Sequence, residues 1–137
     1  MSWAFPSFLE AVMKKLVLES SLLLLYFELI MQFREFKQLQ SIVRSAKVQT
    51  IASDKDLSIT ELCHAMDLAC VFYFKRVFCL QRSAATTLLL RRHGWNAGMV
   101  IGAQIVPFKS HAWVEINGTV VNDKPYVLDI YQVLERC

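Results

Sequence analysis

The chain reads as apolar stripes of helical period up to about Gly94 and as alternating, strand-like segments after it. From about residue 8 to 46, Phe8, Val12, Leu16, Leu23, Phe27, Ile30 and Phe33 follow one helical face. Leu22, Leu24, Leu25 and Leu29 widen that face beyond what one small core needs. The excess is either more core or a surface that docks a partner protein. The polar stretch KVQTIASDKDLS reads as a connection. Ser58-Ile-Thr-Glu61 is a capping box that opens the next helix. Leu62, Met66, Ala69 and Tyr73 carry that helix's apolar stripe, and Lys75 and Arg76 suit its C-terminal dipole. CLQRSAATTLLLRRHG reads as a further helix from Cys79, ended by Gly94 as a C-cap. No glycine or proline precedes Cys79, so the sequence shows no break there.

After Gly94 the period is that of strands. WNAGMVIGAQIVPF is β-rich, with Gly98 and Gly102 as sites of bulges or close approach. HAWVEI and TVVND flank Asn117-Gly118, a hairpin signal. YVLDIYQVLERC is either a strand or a short helix. The expected fold is α+β, with N-terminal helices packed on a small antiparallel sheet. Residues 1–50 form an N-terminal helical region and 51–137 the chemical part of one compact domain.

Composition narrows the function. With 137 residues there is room for one modest core, and 55% apolar content excludes a disordered tail. A net charge of +3 is too small to argue for nucleic acid, and Lys75, Arg76, Arg82, Arg91 and Arg92 read as a solvated helix face. The four cysteines contain no CxxC, so no zinc ribbon, redox pair or other metal site is expected. Cys63 and Cys70 lie about 10 Å apart on a helix, too far to bridge, which fits a reducing cytoplasm. Lys14 and Lys15 precede an apolar run, but Glu19 and Glu28 interrupt it. The uninterrupted stretch is about eight residues against the roughly 20 that a membrane span needs. A soluble amphipathic helix is expected, with a membrane-surface role as the alternative.

The candidate chemistry is Cys79, His111 and Asp123. A thiol at a helix start, where the dipole favours thiolate, an imidazole opening a strand and a carboxylate on the returning strand make a nucleophile, a base and its orienting group. Each also has a bland reading: a buried small apolar residue, a structural histidine and a turn aspartate. His64 and His93 are alternative bases and Asp129 an alternative acid. Trp113 shares the His111 face, where it shields the imidazole, meets substrate or is simply core. Glu115 reads as an exposed strand residue. Alternation makes the hairpin decisive. A two-residue turn at Asn117-Gly118 sets Ala112 opposite Asp123, whereas a three-residue bulged turn sets His111 there. The pairing of His111 with Asp123 therefore calls for the bulged turn.

The segment CLQRSAATTLLLRRHGWNAGMVIGAQIVPFKSHAWVEINGTVVND resembles the catalytic domain of the leader peptidases of lasso-peptide biosynthesis, within the transglutaminase-like, papain-like cysteine proteases. The match rests on Cys-Leu-x-Arg-Ser, the leucine-rich helix ending Arg-Arg-x-Gly, Val-Ile-Gly, Pro-Phe, and His-Ala-Trp-Val-Glu followed by Val-Asn-Asp. It covers about residues 76–123. The resemblance implies Cys79 as nucleophile at the start of a central helix, His111 as base, Asp123 as orienting acid, and a helix break before Cys79. It implies removal of a leader from a ribosomal precursor peptide, without a cofactor, before an ATP-dependent cyclase closes the core peptide. Because the chain is short and its first 50 residues read as helical, the resemblance further implies a separate leader-recognition protein B1. The apolar N-terminal helix is then a docking surface for it, the leader or the cyclase. The alternatives are a transglutaminase-like amidase or acyltransferase on another peptide, and a non-catalytic scaffold.

Overall fold

The computed structural model describes residues 7–49 and 58–137; the side chain of Phe8 and most of the polar connection lie outside the described residues. Among the described residues, five helices and four strands follow in order: α1 (Ser7–Phe33), α2 (Phe36–Ser45), α3 (Ile59–Phe72), α4 (Cys79–Arg92), β1 (Ala97–Gln104), β2 (Lys109–Ile116), β3 (Thr119–Val120), α5 (Val127–Ile130) and β4 (Gln132–Arg136). The helical stretch expected over residues 8–46 is two helices, parted at Arg34 and Glu35. The tail is both alternatives in turn, a short helix and then a strand.

The sheet is antiparallel in the order β3-β2-β1-β4. Its alternation separates two apolar clusters. Ala97, Met99, Val114 and Ile116 face the helices and join Leu16, Leu24 and Phe27 of α1, Leu39 and Val43 of α2, Leu62 and Met66 of α3, and Leu89 and Leu90 of α4. Val100 and Trp113 face the other way, onto Val127. Leu24 is fully buried, so it belongs to the core and not to a docking face; Leu18, Leu22, Leu25, Leu29 and Phe33 are among the large apolar side chains that α1 leaves exposed, with Tyr26 and Met31. By length and mean hydropathy Glu10–Phe33 could cross a bilayer, despite its two interrupting glutamates. Here both glutamates are engaged by the fold, Glu28 by Lys75 and Glu19 by Arg92 and His93.

The helix ends explain the connections. The Ser58 hydroxyl accepts from the Glu61 N–H at 3.1 Å, the cap read from sequence. α4 ends in a Schellman motif: the Trp95 N–H reaches the Leu90 carbonyl at 2.9 Å and the Gly94 N–H reaches Arg91 at 3.3 Å. Gly94 supplies the positive φ of 90° that this requires. α3 ends at Phe72, so Lys75 and Arg76 lie beyond it and not in its last turn.

The basic residues are not one solvated face. Arg82 pairs with Asp67, Lys75 with Glu28 and Arg92 with Glu19. Arg91 is buried and donates to the carbonyls of Val43, Ala46, Ala97 and Cys137. A guanidinium spent on four backbone acceptors is a structural knot, which joins the end of α2, the start of β1 and the end of β4.

Two carboxylates couple this fold to pH. The Lys75 ammonium, working against burial, holds Glu28 below its ordinary value of 4.5. Burial pulls Glu19 up, but hydrogen bonds from His93 and Arg92 outweigh it and leave its carboxyl lowered too. A carboxyl with a lowered folded value stabilises the fold above its unfolded value, and that stability is lost as pH falls. The melting temperature should therefore fall as pH drops from about 5 to about 3, and the slope should be shallower in Glu28→Gln. Circular-dichroism melts check this; an equal slope in both proteins contradicts it.

Candidate functional site

Cys79 is the first residue of α4 and is exposed. The break that the sequence did not show is made by side chains. Phe78 is the N-cap residue but has no capping oxygen, so Gln81, at the third helical position, reaches back to accept from the Phe78 N–H at 3.4 Å. This is half of a capping box, legible only as a glutamine three residues after a phenylalanine. Gln81 is itself buried, and its amide nitrogen donates to the Leu24 carbonyl at 2.9 Å.

The direction of α4 decides which end of the sheet the thiol occupies. Arg91 Nε donates to the Ala97 carbonyl at 2.7 Å, which fixes the end of the helix to the start of β1. Running back about 21 Å, α4 carries Cys79 toward the Gln104 end of β1, where Gly102 pairs with His111. A second tie gives the level more closely. Asn122 Nδ2 donates to Ser83 Oγ at 3.4 Å, and Asn122 Oδ1 accepts from the Val114 N–H at 2.7 Å. One helical turn back from Ser83 is Cys79, about 6 Å; two strand residues back from Val114 is Ala112, about 7 Å. The thiol therefore stands level with the start of β2.

His111 Nε2 and Asp123 Oδ2 are 2.5 Å apart, so the imidazole and carboxylate are joined. The second carboxylate oxygen accepts from the Lys124 N–H at 2.7 Å. The route to this pair differs from the expected one. The turn is the plain two-residue kind: Ile116 pairs with Thr119, and both Asn117 (φ 52°) and Gly118 (φ 79°) are left-handed. By alternation alone this turn sets Asp123 away from His111. However, the ladder ends at Val120, and the Val121 N–H makes one more bond, to the Val114 carbonyl at 2.9 Å. The Asn122 side chain then takes the acceptor position a strand carbonyl would hold, so the chain leaves the sheet and alternation no longer governs Asp123.

The imidazole is held from behind by aromatic rings. It stacks on Tyr131 with centroids 5.1 Å apart and lies 6.0 Å from Trp113. Trp113 is fully buried, so it presents no surface to a substrate. Its indole donates to Glu115 at 2.9 Å, and Glu115 is buried, not the exposed strand residue expected. Gly102 makes room for this packing: a Cβ there would lie 2.7 Å from the Trp113 ring.

Among the described residues, no hydrogen bond joins Cys79 to His111, and none engages His111 Nδ1, which leaves that nitrogen for a further partner. His111 shares the Trp113 face of the sheet, opposite the face that packs on α4. The alternative groups are elsewhere. His93 follows the far end of α4 and binds Glu19 at 3.0 Å. Asp129 is exposed on α5, and His64 is exposed on α3. Burial pushes the Cys63 thiol up to about 11 and raises Cys70 as well, so neither is suited to attack at neutral pH. Exposed apolar side chains crowd the connections at this end, Phe74 and Phe78 before Cys79 and Ile105, Val106 and Phe108 between β1 and β2.

The chain belongs to the transglutaminase-like superfamily, whose family model matches residues 21–136. Over 56 residues it is 41% identical to the microcin J25-processing protein McjB of Escherichia coli, a stretch that covers 41% of this chain and 27% of that protein. The chain thus matches about a quarter of that relative's length. No solved structure matches.

Sequence reasoning missed Asn122, Gln81, Gly102's partner and Tyr131. Removing the Asn122 side chain in Asn122→Ala leaves the Val114 N–H without its acceptor, which should cost about 1–3 kcal/mol. Chemical denaturation measures this, and the His111 ring resonances in NMR should shift as Asp123 loosens; unchanged values for both would contradict the bridge.

Proposed function

We propose that this chain is a cysteine peptidase that removes the leader from a ribosomally made lasso-peptide precursor, with Cys79, His111 and Asp123 as its triad. The observation that carries the reading is the His111–Asp123 pair at the same end of the sheet as an exposed thiol on the first turn of a helix. The superfamily match and the partial likeness to a microcin-processing protein support the reading.

Asp123 on Nε2 fixes the imidazole's orientation and leaves Nδ1 to take the thiol proton. Sγ attacks the scissile carbonyl carbon, and the first-turn N–H groups of α4, which lack intrahelical acceptors, suit the oxyanion that forms. The imidazolium protonates the leaving amine, the free N-terminus of the core peptide. Water, deprotonated by the same imidazole, then releases the leader as a carboxylate and restores the thiol. Chain for chain, no metal or cofactor is called for in these steps. The exposed apolar side chains around the site fit an extended peptide on either side of Cys79.

The partners belong to the same proposal. Residues 7–45 are helices, two of them contributing to the core, and not a winged-helix module with strands. In this proposal a leader-recognition protein B1 presents the precursor, and an ATP-dependent cyclase takes the product. The exposed row Leu18, Leu22, Leu25 and Leu29 is the docking surface proposed for one of them, in the reducing cytoplasm. The superfamily also admits acyl transfer, and in that case an added primary amine would appear on the leader's new C-terminus.

The experiment is incubation of the protein, a separately made recognition protein and the precursor peptide, with mass spectrometry of the products. Cleavage should occur with the wild type and be absent in Cys79→Ala that retains its circular dichroism. His111→Ala and Asp123→Ala should lower the rate by about 10²-fold or more. Full processing by Cys79→Ala would mean a scaffold instead. Leu25→Glu with Leu29→Glu, both exposed, should weaken association with the partner in pull-down while leaving the melting temperature unchanged within about 2 °C.

A further inference from the structure

Glu28 is an acidic residue in the apolar run of α1, and it is buried. A buried carboxylate is costly unless its oxygens are satisfied. Here four side chains converge on it. Oε1 accepts from Tyr73 Oη at 3.1 Å and Gln81 Nε2 at 3.3 Å; Oε2 accepts from Lys75 Nζ at 2.6 Å and Gln32 Nε2 at 2.9 Å. Three of these donors bracket one segment. Tyr73 is the C-cap of α3, Lys75 lies in the connection, and Gln81 is in the first turn of α4. Gln81 is also the residue whose other amide atom holds the Phe78 N–H, immediately before Cys79. Burial, followed by the bond to Glu28, pushes the Tyr73 hydroxyl up to about 12, so it stays a donor.

We propose that Glu28 is a positioning residue for Cys79, acting through Tyr73, Lys75 and Gln81 to fix where α4 begins and so how Sγ leaves the helix. This rests on Cys79 as the nucleophile. With no glycine or proline between α3 and α4, the local stop is the Gln81 side chain on the Phe78 N–H, and Glu28 holds that Gln81 in place. The carboxylate sets the boundary from a distance of 53 residues along the chain.

The test uses Glu28→Leu, Glu28→Gln and Tyr73→Phe in the full chain, with Leu39→Ala as a control. Leu39 is a buried apolar residue of α2 with no side-chain donor or acceptor, so its truncation lowers stability without removing a hydrogen bond of the clamp. Two readouts are taken below the melting temperature of every variant. The first is the rate at which iodoacetamide modifies Cys79, followed by mass spectrometry of its peptide. The second is kcat and KM for the precursor peptide in the cleavage assay. Glu28→Leu should lower kcat at least tenfold with KM within twofold, and slow modification of Cys79 at least threefold; Glu28→Gln and Tyr73→Phe should show the same split to a smaller degree. Leu39→Ala should leave both readouts within twofold. The proposal is overturned if Glu28→Leu matches the wild type, or if Leu39→Ala reproduces its losses. Should Glu28→Leu fail to fold, wild-type values in both Glu28→Gln and Tyr73→Phe overturn it instead. Cleavage persisting in Cys79→Ala would defeat the nucleophile assignment alone, because the iodoacetamide rates would still report whether Glu28 governs Cys79.

Discussion

The fold turns on one buried guanidinium. Arg91 donates to four backbone carbonyls, from α2, the connection after it, β1 and the chain's last described residue. Removing a charge from water is costly unless each donor finds an acceptor, so the arrangement has little freedom. Its effect is directional. By holding the last turn of α4 to the beginning of β1, it sends the helix start to the opposite end of the sheet. That is the end at which His111 and Asp123 meet. The site thus depends on an interaction roughly the length of a helix away from it.

Much of this architecture was legible in the residues, because it follows from period and capping. Ser58 and Glu61 announced α3, Gly94 announced the end of α4, and Asn117-Gly118 announced the hairpin. What was hidden depended on pairs distant in sequence. Glu28 reads as an interruption of an apolar stripe until Tyr73, Lys75 and Gln81 are folded against it. Glu115 reads as a polar strand position until the Trp113 indole and Arg136 take its two oxygens. Arg91 sits in a basic run that reads as solvated. In each case the sequence shows a polar residue, and only the tertiary contacts show that it is spent.

The hairpin is the instructive failure of a sound rule. Alternation says correctly that a two-residue turn puts Ala112, not His111, opposite Asp123. The rule holds only while the strands remain paired. Asn122 ends the pairing by offering a side-chain oxygen in place of a main-chain one, and the next residue is free to swing under the imidazole. A single asparagine therefore does what an inserted residue in the turn was expected to do. The same residue touches Ser83 on α4, so the strand's exit and the helix are aligned by one amide group.

The outer side of α1 has a consequence for the molecule as a solute. Leu18, Leu22, Leu25, Leu29 and Phe33 are between 40 and 75% exposed and recur every three or four residues along a helix. With a net charge of only +3, there is little electrostatic repulsion between copies to oppose their contact. Kept apart from whatever covers this ridge, the chain is built to be sticky: its colloidal behaviour, more than its folding free energy, sets the concentration at which it stays dispersed.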